Sequence, residues 1–292
     1  MLLTAIFYHV DDFCKEIKKH LVERNRTKHV GRPASMSTSE ILTIIIYYHH
    51  SKAKTFKDYY KIYILGIYRS AFYKPVSYNR FVELIGENLC FIAMFSLAQN
   101  ASATGIGFID STPISVCHNR RIHSHKTLKG IAMRGKSSMG WFFGFKLHFV
   151  INHIGEITGF TITPGNVDDR NLSVIKQMTK NLFGKLFGDR GYISRNLFEW
   201  LFEKGIQIIT RLKKDMNNKL MSLMDKILLR KRGLIESVGN ILKNVLNLEH
   251  SRHRSVKGFF SNIFSCIAAY AFHTTKPSLN INKNDLICAA TE

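Results

Sequence analysis

The chain has 292 residues, with 42 Lys and Arg against 21 Asp and Glu, a formal charge of +21, and 45% hydrophobic residues. That apolar content supports a substantial core and excludes wholesale disorder. The charge excess is best matched by a polyanionic partner, nucleic acid ahead of an anionic membrane surface. The basic residues run along the whole chain rather than forming one tail, so a binding surface that draws on the entire protein is expected. No apolar run is long enough for a transmembrane helix, and the start lacks the basic n-region and long apolar core of a signal peptide. Five cysteines (Cys14, Cys90, Cys117, Cys266, Cys288) without a CxxC pair argue against a disulfide framework and for a reducing cytosol.

Residues 1–103 read as helical. Ser37-Thr38-Ser39-Glu40 has capping-box spacing and opens the apolar run Ile41 to Tyr47. A second helix starts near Ser77, after Pro75, with Phe81, Leu84 and Ile85 at helical spacing. Between them lies an aromatic and basic stretch, Phe56 to Tyr73. Short helices with basic turns suit a helix-turn-helix-like DNA-binding module; a plain helical bundle packed on a second domain has the same pattern.

From residue 104 the pattern changes to strands. Gly105–Val116, Trp141–Asn152 and Glu156–Thr163 are rich in aromatic and β-branched residues, and Asn152-His153-Ile154-Gly155 has the composition of a hairpin turn. A helix is expected from about Asp169 to Phe183, capped by Asp168. A short strand ending at Asp189, a helix over Ser194–Lys204 and a strand over Ile206–Arg211 follow, and helices resume over 216–246 and 254–273. The order is that of an α/β domain with a mixed sheet.

Acids are scarce in the middle third, with none between Asp110 and Glu156, so their positions carry information. Asp110 ends the apolar strand Gly107-Phe108-Ile109, and Asp189 ends Leu186-Phe187-Gly188 in the same way. A carboxylate beside a sheet core costs several kcal/mol unless a cation compensates. On a helix, Arg232, Glu236 and Lys243 fall within about 60° of one another, which presents an acid flanked by two cations. Two strand-end carboxylates and a third on a following helix can cluster around two divalent ions.

Phe108-Ile109-Asp110-Ser111-Thr112-Pro113, Thr163-Pro164-Gly165-Asn166-Val167-Asp168-Asp169 and Gly188-Asp189-Arg190-Gly191-Tyr192 resemble DDE transposases of bacterial insertion sequences. The helix Arg232-x3-Glu236-x6-Lys243 resembles the signature around the glutamate in that superfamily, with Leu229 where a tyrosine usually stands. Pro75-Val76-Ser77-Tyr78-Asn79-Arg80-Phe81 and Glu249-His250-Ser251-Arg252-His253-Arg254-Ser255 are most similar to the 982 family of insertion sequences. The resemblance implies an α/β fold: an RNase H-like mixed sheet flanked by helices over 104–275, an N-terminal all-helical domain over 1–103 and a C-terminal tail over 276–292. It also implies Asp110, Asp189 and Glu236 as catalytic acids and ligands of Mg²⁺ or Mn²⁺, two ions in number. Asp168 and Asp169, in cap context before a helix, take supporting roles.

Residues 111–155 carry seven Lys and Arg and no acid. The loop His118–Gly140, with Arg120, Arg121, Lys126, Lys129, Arg134 and Lys136, is therefore expected to contact phosphates. Arg232 and Lys243 are expected to contact DNA near the cut. Cys117, His118, His123 and His125 match no familiar zinc-finger spacing, and Ser111 lacks the Gly-x-Ser-x-Gly of a nucleophile elbow. The expected function is strand cleavage at element ends and strand transfer into target DNA, by a homodimer on DNA, away from membranes, in the prokaryotic cytoplasm and nucleoid. Another RNase H-like nuclease, or a catalytically silent DNA-binding protein derived from a transposase, would share the charge and the acids.

Overall fold

The computed structural model describes residues 2–23, 35–211, 221–249 and 253–279. By contacts the chain divides into two units, Met1–Gln99 with Leu242–His273, and Asn100–Ile241 with Thr274–Glu292.

The first unit is helical. Helix α1 (Leu2–Glu23) buries Ile6, Val10 and Cys14, an i, i+4, i+8 stripe, and packs on α2 (Thr38–Tyr48). The expected capping box opens α2: the Glu40 N–H donates to Ser37 Oγ at 3.1 Å, and the Ser37 N–H donates to Glu40 Oε2 at 2.7 Å. Helix α3 (Phe56–Tyr59) continues as a π-helical stretch, Tyr60–Ile67. The aromatic run found in the sequence here is largely core: Tyr59 and Tyr60 are fully buried, and Phe56, Tyr60 and Phe81 meet ring to ring. Helices α4 (Tyr78–Glu87) and α5 (Leu89–Ala98) are bent by 62° at their junction and bury Phe81, Leu84, Ile92 and Phe95. Among the described residues no single helix is long and apolar enough to cross a membrane.

Residues 242–273, grouped in sequence with the strands, join this helical unit. Their last helix packs on α2, α4 and α5. Fully buried His49 ties the segment in, its ring nitrogens lying 2.6 Å from the Leu246 carbonyl oxygen and 2.8 Å from Ser265 Oγ. Burial holds this imidazole down at about 4, so it is neutral.

The second unit is built on a mixed sheet. Its central strand β1 (Ile106–Cys117) pairs antiparallel with β3 (Gly140–Asn152), which pairs antiparallel with β4 (Ile157–Pro164). On its other side β1 pairs parallel with β5 (Gly184–Gly188), and β5 pairs parallel with β6 (Ile206–Thr210). The order β4-β3-β1-β5-β6, three antiparallel strands followed by two parallel to the first, is that of an RNase H-like core. The expected turn joins β3 to β4: the Gly155 N–H donates to the Asn152 carbonyl at 3.1 Å with Gly155 at φ 73°, a left-handed conformation suited to glycine.

One strand was not foreseen. Within the basic segment read as a loop, β2 (Met133–Ser137) pairs with the first residues of β3 to form a hairpin. Gly144 pairs with Ser115 on one side and Met133 on the other, so β2 follows β4 along the same edge of β3. Glycines permit this crowding, since a Cβ on Gly135 would lie within 2.1 Å of the Gly165 carbonyl oxygen.

Helix α6 (Leu172–Met178) is shorter than expected and its cap differs. Asn171, not Asp168, accepts from the Ser173 N–H, because Asp168 is taken up by Arg170. Helix α7 (Arg195–Glu203) falls as expected. Ile109, Val150, Ile175, Leu186, Leu197 and Leu201 form the core on one face of the sheet. Helix α8 (Leu223–Arg230) packs on β5 and β6, and α9 (Gly233–Asn240) packs on β1 before the chain passes into a π-helical turn, Ile241–Val245. The expected helix over 216–246 is thus broken at Lys231–Arg232, and residues 212–220 lie outside the described part. The last helix is α10 (Val256–Ala271), capped by Ser255.

Candidate active site

The sheet brings two of the sequence-derived acids side by side. Phe108 and Phe187 are register partners on parallel strands, and Asp110 and Asp189 each lie two residues further on. Neighbouring strands run about 5 Å apart. Asp110 is the register partner of Phe149, whose ring approaches Gly239 of α9, so Asp110 points to the α9 face of the sheet.

From α9 and the turn before it come the other two groups. Arg232 Nη2 donates to Glu236 Oε1 at 2.6 Å, and its Nη1 lies 3.5 Å from Asp110 Oδ2. A single guanidinium therefore links the strand acid to the helix acid. Arg232 is mostly buried between the two carboxylates, and its positive charge lets them approach. Asp110 Oδ1 accepts from the Ser111 N–H at 2.9 Å, and Asp189 Oδ1 accepts from the Gly191 N–H at 2.7 Å, which fixes each carboxylate on its own backbone. Glycine at 191 suits that turn, since a Cβ there would meet Asp189 Oδ1 at 2.8 Å.

Burial pushes the Asp110 carboxyl up to about 6; Asp189 and Glu236 push in the same direction, against the pull of Arg232 and of the Ser111 N–H. Asp110 therefore feels both other acids. Tyr192, 2% exposed, lies against Gly188, its hydroxyl without a hydrogen-bond partner. Burial first, then the negative charge of Asp110, Asp169 and Asp189, hold that phenol well above its ordinary range. Among the described residues no three His, Cys, Asp or Glu side chains close into a ready metal-holding group.

The other acids of the region are engaged elsewhere. Asp168 receives Arg170 through two bonds, Nε to Oδ1 at 3.0 Å and Nη2 to Oδ2 at 2.7 Å, and these hydrogen bonds hold its carboxyl down at about 2. Asp169 Oδ1 accepts from Lys146 Nζ at 2.9 Å and lies 3.7 Å from His148 Nδ1. Burial holds His148 down at about 4, and its Nε2 lies 2.8 Å from Thr163 Oγ1. Sequence reasoning did not single out Lys146 with His148, although their i, i+2 spacing on a strand places both on one face.

Arg120, Arg121, Lys126, Lys129, Arg134 and Lys136 are all exposed, Arg120 and Arg121 on a 3₁₀ turn and Arg134 and Lys136 on β2. Lys243 lies in the π-helical turn and pairs with Glu249 at 3.4 Å. His118 and His125 accept from the Arg120 and Leu128 N–H groups, as local caps.

The raised Asp110 carboxyl has a measurable consequence. A carboxyl whose folded value lies above its unfolded one favours folding at low pH, and that contribution is lost as pH rises from about 4 through about 6. His49, His148 and His253, lowered to about 4 by burial, act in the opposite sense over that range, so only a comparison of variants isolates Asp110. In chelator-treated protein, Asp110→Asn should gain stability relative to wild type between about pH 4 and 7, by up to about 3 kcal/mol. Urea midpoints at several pH values measure the difference, and a pH-independent one contradicts the assignment.

Strand order defines the second unit as RNase H-like, with Asp110 inside β1, which runs on to Cys117 rather than ending at this acid as its sequence suggested, Asp189 just past β5 and Glu236 on α9. Residues 100–256, more than half of the chain, match the family model described as transposase DDE domain, and the chain belongs to that family. Among solved structures, the crystal structure of the Mos1 strand transfer complex is similar at 13% identity, with 85% of this chain and 76% of that chain covered and a TM-score of 0.28. No curated protein matches the chain.

Proposed function

We propose that this transposase-family chain cuts DNA at the ends of a mobile element and joins the freed 3′-hydroxyl to target DNA, with Asp110, Asp189 and Glu236 as its catalytic acids. The observation that supports it best is the shared electrostatic site: Asp110 raised to about 6, with Asp189 and Glu236 both contributing and Arg232 touching Asp110 and Glu236. Oxygen-only donors within β1, just past β5 and on α9 suit a hard divalent cation, and a carboxyl held up by burial, with neighbouring carboxylates adding to it, gains from one. Asp110, Asp189 and Glu236 would hold Mg²⁺ or Mn²⁺, one ion or two. Bound there, such an ion supplies an activated nucleophile and a stabilised leaving oxygen.

The chain's own residues do the rest. Backbone N–H groups of Ser111 and Gly191 orient the two strand acids. Arg232 balances charge at Asp110 and Glu236 and lies beside the path of a scissile phosphate. Arg120, Arg121, Lys126, Lys129, Arg134 and Lys136 supply exposed cations for the flanking backbone, and Lys243 adds another. Helices within 1–103 serve end recognition in this reading, and a homodimer brings two ends together in the bacterial cytoplasm. The motifs around Asp110, Asp189 and Glu236 favour an insertion sequence, and Pro75–Phe81 with Glu249–Ser255 favour the 982 family.

The test is a DNA fragment spanning the gene and its flanks, incubated with the full chain and Mg²⁺. Cleavage at short inverted repeats, followed by joining to a second DNA, is expected; cleavage without joining would make the protein a nuclease of the same fold. Binding to duplex DNA should weaken steeply with salt, by about 10³-fold or more between low and physiological ionic strength if six or more phosphates are contacted. A flat salt response contradicts the basic-arm reading.

A further inference from the structure

Reaching the residues that directly follow Asp189 is an open cleft of about 600 Å³, lined by Arg134, Lys136, Trp141, Asn166, Arg170 and Arg190. We infer that it holds an unpaired stretch of DNA, one base of which stacks on Trp141, next to the strand being cut. The inference rests on the DNA-processing reading above and adds the form of the substrate at that site.

Four observations carry it. Trp141 is 59% exposed, an uncommon state for a large apolar ring that no core requires. It stands on the β2–β3 hairpin with Lys136 as its register partner, and the charges of Arg134 and Lys136 lie over the ring at 5.9 and 6.0 Å. These distances are at the outer limit of a cation–π contact, so an incoming base can replace them. The acids of the cleft are already neutralised, Asp168 by Arg170 and Asp169 by Lys146, while no carboxylate among the described residues pairs with Arg134, Lys136 or Arg190. The cleft thus offers an aromatic face ringed by uncompensated cations, the combination that binds single strands without reading sequence.

Size and position narrow the occupant further. A volume of about 600 Å³ admits a nucleotide or two but not the width of a duplex. An indole can stack only on a base whose own face is free, so the DNA here must be frayed, flipped or single-stranded. Arg190 and Gly191 line the cleft and directly follow Asp189, so a strand lying in it passes close to that acid.

The full chain is titrated into fluorescently labelled oligothymidylate and, separately, a blunt duplex of matched length, and anisotropy is read. Trp141→Ala should weaken oligothymidylate binding about tenfold or more, Trp141→Phe should restore most of it, and duplex binding should be unchanged in both. Unaltered oligothymidylate affinity in Trp141→Ala overturns the inference while leaving the transposase reading intact. An equal loss on duplex overturns it as well, by making Trp141 part of a general surface. If neither DNA binds the wild-type chain, the DNA-processing reading itself fails.

Discussion

Asp110→Asn is expected to lower Mg²⁺-dependent cleavage of a fragment carrying the element ends by about 10³-fold or more, with duplex affinity unchanged within about twofold. A divalent ion is worth several kcal/mol of transition-state charge stabilisation, and each 1.36 kcal/mol is about tenfold in rate. The substitution keeps shape and removes charge at the one acid that touches Arg232 from the sheet and feels both other acids. Misfolding cannot explain such a loss, because the neutral amide escapes the burial penalty that raises the native carboxyl, and the variant should be at least as stable at neutral pH as its parent. Asp168→Asn is the control. That acid is spent on Arg170, and its loss should change cleavage by no more than about threefold. Cleavage by Asp110→Asn within about tenfold of wild type, or a larger loss in Asp168→Asn, would assign the chemistry to other residues.

The parts of this site that were legible in sequence are those set by local pattern. Gly107-Phe108-Ile109 reads as strand because its residues are buried on both faces of a covered sheet, but Asp110 is not its end: β1 continues to Cys117 by pairing with β3. The capping box at Ser37 and the turn at Asn152–Gly155 follow from short-range hydrogen bonding that a few residues specify. Arg232 with Glu236 is an i, i+4 pair that helical spacing alone gives. What spacing cannot give is the third member, since the contact of Arg232 with Asp110 joins residues far apart in sequence. Strand β2 was hidden because Met133-Arg134-Gly135-Lys136-Ser137 has no apolar alternation; it forms by pairing with β3, and its buried residue is a glycine, which carries no hydrophobic signal. Asp168 looked like a helix cap because it precedes an apolar helix, but an arginine two residues on competed for it and Asn171 took the cap. The apolar run of α10 reads as a helix anywhere; only tertiary contact with α2, α4 and α5 assigns it to the helical unit.

The largest stability effect is expected at a pair that sequence pattern does not reveal. Lys185, in the middle of β5, is 2% exposed, and its Nζ lies 3.1 Å from Oδ1 of Asp225 on α8, itself 7% exposed. Neither atom has a well-aligned hydrogen bond, so charge alone compensates their burial. Asp225→Ala would leave an ammonium stranded in the sheet and should cost about 3–5 kcal/mol. Replacing both, as Lys185→Met with Asp225→Leu, should be close to neutral or stabilising by about 1–4 kcal/mol, because two desolvation penalties disappear with one attraction. Urea unfolding of the two variants separates these outcomes, and a cost below about 1 kcal/mol for Asp225→Ala would mean that the pair contributes little. The pair also bears on the site. Lys185 is four residues from Asp189 on β5, and its N–H donates to the Gly105 carbonyl at 2.8 Å just before β1 begins. Asp225 is in the first turn of α8, whose far end leads through the break at Lys231–Arg232 into α9 and Glu236. Holding α8 against β5 therefore sets where the helix acid meets the strand acids, so Asp225→Ala should lose cleavage activity below its unfolding midpoint, and the double replacement should recover it in proportion to how well α8 repacks.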